Sequence, residues 1–274
     1  MRQKGSNDGL MTFGGHLEVL RRVLFRVLGV SGTATVIVFC LKDITWRMLL
    51  APSEWNFVTY SWIECIAHAV GMDDFVFPRF HVKLIATDLT SQFMTHLTTS
   101  AYIGLLIASP YILYELFRFV SPALFENERK YSVRVITAVY MLFVAGVLVS
   151  YYVLFPISFR FLGTYSVSDK VESTITIDSY VSTLTTLTLL MGVVFQLPVI
   201  SFVLAKMGVV NAYMLAKYRK HAFIVILTLA AIITPGQDVL SLTLVSLPLY
   251  LLYEVSIFIV GKVGNRRHAP FEDE

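Results

Sequence analysis

Charge is scarce in this sequence. Only 15% of its 274 residues are Asp, Glu, Lys or Arg, against about a quarter in an ordinary soluble domain, which needs that charge to dress its surface. A free-standing soluble domain is therefore excluded. The basic residues are scattered between apolar runs and the net charge is only +3, so the concentrated basic face that nucleic acid requires is missing. Two cysteines, Cys40 and Cys65, make no disulfide framework; they stand at different depths of the pattern and are expected to remain thiols. The sequence has no phosphate-binding glycine loop, no zinc-spaced His or Cys cluster and no nucleophile elbow. No cofactor or metal is implied, and the six histidines are dispersed. An intramembrane protease would need a nucleophile with its base, or two facing aspartates, at membrane depth; each Asp falls in a loop or at a boundary. No small-residue cleavage site closes the first apolar run, so that run is expected to be kept.

What the chain does have is apolar length: 56% of its residues are hydrophobic. A spanning helix needs about 20 apolar residues, because the hydrocarbon core is roughly 30 Å thick and a helix rises about 1.5 Å per residue. Six runs emerge as candidate spans, at 23–41, 95–117, 133–155, 181–205, 222–233 and 239–260; the fifth, only about a dozen residues long, also reads as a buried core helix or a re-entrant hairpin, and a short span is preferred. The expectation is an all-α integral membrane protein in one domain, 1–274, with six transmembrane helices of which the fifth and sixth are short. The fifth is bounded by His221 and by the turn-rich Thr234, Pro235, Gly236, Gln237 and Asp238.

The basic residues test this division, since short loops rich in Lys and Arg stay on the cytoplasmic side. With the N-terminus inside, sixteen of the 22 Lys and Arg residues fall on inner segments, and the alternation holds only if the short fifth run crosses. Both termini are thus expected to be cytoplasmic. The long outer loop 42–94 carries Trp46, Trp55, Tyr60 and Trp62, rings that settle at a membrane interface and suit short helices there. In the second outer loop, 156–180, β-branched residues at 171–177 suit extended chain. PYILYE at Pro110–Glu115 is echoed by PLYLLYE at Pro248–Glu254, too short to establish a repeat.

Polar groups at membrane depth are costly and so informative. Glu115 and Glu254 sit near inner ends of their spans, where headgroups or basic partners are within reach. Gln196 lies deeper, before Pro198, and reads equally as a packing device or as a docking point for another helix. Pro110, Pro156, Pro198, Pro235 and Pro248 place kinks or breaks in or beside five spans. Broken helices also occur in transporters, so a proton- or ion-coupled secondary solute transporter is the alternative class. The paired ionisable cluster it would want at the midplane is missing. The inner loop 118–130 joins Phe119 and a Pro122 turn to two acids, Glu126 and Glu128, beside basic residues. These acids suit the first turn of a helix or a site for a cationic peptide.

At these residues the sequence resembles the TatC family. The matching pieces run in family order: His16–Arg22, Ala51-Pro52, Ala86-Thr87-Asp88 with Phe93, Pro110–Glu115, Phe119–Arg129, Ser179-Tyr180, Phe195–Pro198, Thr234-Pro235 with Asp238, and Pro248–Glu254. The resemblance implies a cup-shaped bundle of six helices in the bacterial cytoplasmic (inner) membrane. It would serve as signal-peptide receptor and core subunit of the twin-arginine translocase, exporting folded proteins at the expense of the proton-motive force. By position it implies that Phe119 and Glu128 recognise the twin arginines of a signal peptide, with Arg21, Leu24 and Glu126 adjoining. TatA and TatB type single-span subunits would lie against Gln196, Thr234 and Ser241, and other TatC copies and membrane lipid are implied as further partners. Pro52, Asp88, Tyr180 and Asp238 would have structural roles on the periplasmic side. Val19 stands where the first motif usually has Glu, Gln196 where Glu is frequent, and Leu242 where a polar residue is sometimes found.

Overall fold

The computed structural model describes residues 13–72, 82–120, 129–165, 168, 174–234 and 238–267. Among them the chain is helical apart from one two-residue strand pair. Five helical stretches are long and apolar enough to cross a membrane. The first, α1 (Phe13–Cys40), lies along α4 (Ser91–Val120). They approach closely at Gly104, where a Cβ would lie 2.5 Å from Thr35 Oγ1 and 2.6 Å from its backbone nitrogen. Only glycine lets the two backbones meet there, the small-residue device of membrane helix pairs. The rest of α1 is barely covered: Leu24, Phe25, Leu28, Val36 and Ile37 are exposed, as befits side chains whose solvent is lipid.

The third long stretch is composite. Helix α5 (Arg129–Val149) passes through one widened π turn, Ser150–Leu154, into α6 (Phe155–Thr164). Pro156, lacking an N–H, sits in the first turn of α6, where it is tolerated. The fourth is broken in the same way: α7 (Ile177–Val194) stops at Phe195-Gln196, and α8 (Leu197–Lys206) restarts with Pro198 in its first turn. Helices α5 and α7 cross closely at two glycines. A Cβ on Gly146 would lie 2.6 Å from Met191 O, and one on Gly192 would lie 2.7 Å from the Phe143 ring.

After the six-residue α9 (Ala212–Lys217) comes α10 (Arg219–Ile233), whose 15 residues reach about 22 Å at the standard rise. The expected shortness of this helix is found. The last of the five long stretches differs from the short final span that the sequence suggests: α11 (Val239–Arg267) has 29 residues. The apolar run ends near Val260, and the helix continues past it to Arg267.

One end of the bundle is capped by α2 (Lys42–Leu50), a 3-10 turn at Ala51–Ser53, α3 (Val58–Ala69) and a small sheet. In the sheet β1 (Leu84–Ile85) and β2 (Ile175–Thr176) run parallel, Leu84 opposite Ile175 and Ile85 opposite Thr176. The expected aromatic short helices are thus present, and extended chain is found at 175–176, while 171–173 lie outside the described residues. The cap is fastened by two buried tyrosines. Tyr180 donates to Leu49 O at 2.9 Å and Tyr60 to Pro156 O at 3.1 Å, while Phe155 and Phe159 meet the Tyr180 ring edge-on at 5.1 and 5.0 Å. Burial pushes the Tyr60 hydroxyl up to about 12, against the opposing pull of Arg160. The opposite, open end holds the start of α1, the end of α4 and the start of α5.

A candidate receptor surface at the open end

Helix α4 carries its functional groups toward the open end because its apolar run gives out there. Phe119 lies half-buried in the last turn, one helical turn beyond Glu115 and so on the same face. Arg21 and Leu24 project from the first part of α1, both exposed. Since α1 lies along α4, these residues share the open end. Glu126 and Glu128 lie outside the described residues.

Glu115 is the group whose importance the sequence understated. It is buried to 4% exposure rather than snorkelling to a headgroup, and its Oε1 accepts from Tyr111 at 3.0 Å and faces the Arg26 guanidinium of α1 at 3.5 Å. The echoed segment on α11 builds the same device. There Tyr250 donates to Glu254 at 3.2 Å and Arg219 of α10 pairs with it at 2.9 Å. Tyrosine, glutamate four residues on, and an arginine from a partner helix thus occur twice. Only the Glu115 copy is buried, and only it has the longer ion pair. The signal was the tyrosine one turn before each acid, which presents both groups on one face. Farther along α1, Glu18 and Arg22 pair at 2.5 Å on the exposed surface.

The remaining predicted residues are distributed over other parts of the molecule. Gln196 sits at the α7–α8 break; its Nε2 donates to Val139 O of α5 at 3.1 Å. It also lines an apolar groove of about 500 Å3 between α4, α5, α7 and α8, with Leu113, Phe117, Phe143, Val193 and Val203. Thr234 and Ser241 lie on either side of the connection between α10 and α11 and are buried. Thr234 donates to Ala230 O at 2.9 Å, and Asp238 caps α11 by accepting from Ser241 N at 2.7 Å. Outward on this face stand Ile232, Val239 and Leu240. Pro52 is fully buried in the cap with Tyr180. Asp88 is exposed, and its carbonyl accepts from Ser91 N at 3.2 Å. Asp178 accepts hydroxyl bonds from Ser91 and Thr95 and so ties α7 to α4. Cys40 and Cys65 are both free and exposed. Among the described residues no three His, Cys, Asp or Glu side chains gather as a metal site.

Residues 15–248 match the family described as Sec-independent protein translocase protein (TatC). The Sec-independent protein translocase protein TatC of Carboxydothermus hydrogenoformans is 35% identical over 252 residues, 92% of this chain and 93% of that protein. TatCy of Bacillus subtilis is 42% identical over 186 residues, covering 68% of this chain and 72% of its own. In three dimensions the chain superposes on a crystal structure of the twin arginine translocase receptor TatC with a TM-score of 0.72 and 28% identity. That match covers 91% of this chain and 99% of the other.

Proposed function

The chain belongs to the TatC family and is a multi-pass membrane subunit of the Sec-independent protein translocase, and from that premise we propose that its open end is the cytoplasmic docking site for twin-arginine signal peptides. Phe119 and Glu128 take the arginine pair, with Arg21, Leu24 and Glu126 forming the surroundings. A guanidinium is planar and always charged, so a carboxylate can hold it with two parallel bonds and an aromatic ring can stack on it; a lysine ammonium offers neither geometry. The observation that supports this reading is that α1 and α4 bring Arg21, Leu24 and Phe119 to one end of the bundle, the end at which the sequence runs on from α4 to the two acids.

The same reading puts both termini and the open end in the cytoplasm and the cap in the periplasm, in the bacterial inner membrane, as the Lys and Arg distribution implies. It makes the chain a receptor driven by the proton-motive force and not an enzyme. Single-span partners of the TatA and TatB type dock beside Gln196, Thr234 and Ser241, meeting the exposed Ile232, Val239 and Leu240 first, and other TatC copies and lipid complete the surroundings.

The test is peptide binding to the purified chain in lipid nanodiscs. Glu128→Gln is expected to weaken a twin-arginine peptide roughly ten- to a hundredfold, the worth of a charge-assisted bond, and to reduce the preference over a twin-lysine peptide. Glu126→Gln is expected to do much less. Undiminished discrimination by the Glu128 variant would leave that acid a first-turn helix residue and no more.

A further inference from the structure

We propose that Glu115 is a second receptor carboxylate, specific for one of the two signal-peptide arginines, and that Arg26 occupies it as an internal stand-in until the peptide arrives. This rests on the reading of the open end as the signal-peptide site.

The geometry of Glu115 is that of an acid waiting for a better partner. It is buried in α4, where an ionised carboxylate needs compensation, yet its compensating cation is 3.5 Å away and belongs to a side chain 55% exposed. Both contacts fall on Oε1, one from Tyr111 and one from Arg26. The acid is therefore met by a single long N–H contact, not by the two-pronged clamp that a guanidinium makes with a carboxylate at about 2.7–2.9 Å. The parallel device at Glu254 shows the tighter alternative: a half-exposed acid with its arginine at 2.9 Å. Phe119 stands one turn from Glu115 on the same face of α4, so a peptide held by Phe119 brings its neighbouring residue within one turn of the acid.

The exchange conserves charge. An incoming guanidinium replaces Arg26, and the displaced side chain, already largely exposed, swings to solvent or headgroups as long basic side chains do. Glu115 is never left without a cation during the swap, which removes the penalty of stranding a buried charge. Because the site is shaped by an arginine, it selects arginine. A lysine would replace a planar donor set with a compact, strongly hydrated ammonium.

The experiment uses the full chain in nanodiscs and four peptides, with Arg-Arg, Arg-Lys, Lys-Arg and Lys-Lys at the twin positions. Glu115→Gln is expected to abolish the penalty for lysine at one position, from roughly tenfold or more to almost none, and to keep it at the other; Glu128→Gln is expected to flatten the complementary position. A Glu115 variant that keeps both penalties, or that loses all four peptides equally, overturns the proposal. If Glu128→Gln alone keeps both penalties, the reading of Glu128 fails while that of Glu115 is decided by its own row. Should Glu115→Gln not fold, Arg26→Gln decides: removing the stand-in is expected to tighten the Arg-Arg peptide severalfold and Lys-Lys much less. Equal or weaker Arg-Arg binding by that variant counts against the proposal.

Discussion

Gly104 of α4 and Thr35 of α1 are in such close apposition that a single methyl on the glycine would lie 2.5 Å from the threonine hydroxyl. Because α1 rests mainly on α4, this one crossing holds the helix that carries Arg21, Leu24 and Arg26 against the helix that carries Glu115 and Phe119. The atoms a Cβ would strike include the Thr35 backbone, which cannot rotate away. Gly104→Ala is therefore expected to cost about 1–3 kcal/mol, the usual penalty for overpacking. The thermal midpoint in detergent should fall. Gly192→Ala, which meets only the Phe143 ring, should lower it less.

The cap offers a cleaner substitution. Tyr180 is 1% exposed and donates to Leu49 O at 2.9 Å, joining α7 to α2. Tyr180→Phe keeps the ring packed against Phe155 and Phe159 but leaves a buried carbonyl without its donor, at a cost of about 1–3 kcal/mol. Limited proteolysis in the α2–α3 region should accelerate. Equal protease resistance would mean that water replaces the hydroxyl.

How much of this was legible in the sequence depended on whether a feature was local. Apolar length marked the spans, and Pro198 after Gln196 marked the α7–α8 break, because each acts on its own few residues. Close approaches at Gly104 and Gly146 were not legible, since a glycine in an apolar run says nothing of what faces it. The burial of Glu115 was missed for the same reason: its cation, Arg26, is 89 positions away. The two Tyr–Glu segments looked like coincidence until each proved to hold an arginine from the neighbouring helix. Thr234 was implied as a partner contact by the resemblance, and helical geometry turns its hydroxyl to its own helix, onto Ala230 O. In α11 charge ended the apolar run, but charge does not end a helix.

Topology has a direct test. An impermeant thiol reagent applied from outside should modify a cysteine placed at Ser168 and spare one at Asn127, with Cys40 and Cys65 replaced by serine because both are exposed. The reverse pattern would invert the proposed orientation.

The 15 residues of α10 fall short of an average hydrocarbon core by roughly 8 Å. The bilayer beside this helix should thin, or a partner should cover its end. Inserting four leucines after Leu229 lengthens it by about 6 Å and is expected to impair export while the chain still inserts. Export at the parental rate would strip the shortness of any functional part.

Gln196 is where packing and docking meet in one side chain. Its amide nitrogen already bonds Val139 O across to α5, and hydrogen bonds between membrane helices are worth about 0.6 kcal/mol on average and 1.7 at most. Loss of that bond alone would lower the thermal midpoint slightly and touch no other protein. A partner helix bonded to the same amide would in addition lose about three- to eighteenfold in affinity, the same energies expressed as binding. Gln196→Leu fills similar volume and removes both possibilities at once, so the two consequences can be measured side by side. The expected result is a small fall in the midpoint together with reduced co-purification of TatA or TatB type subunits. A midpoint shift with partner retention unchanged would confine Gln196 to the α5–α7 contact and leave docking to the exposed residues of α10 and α11.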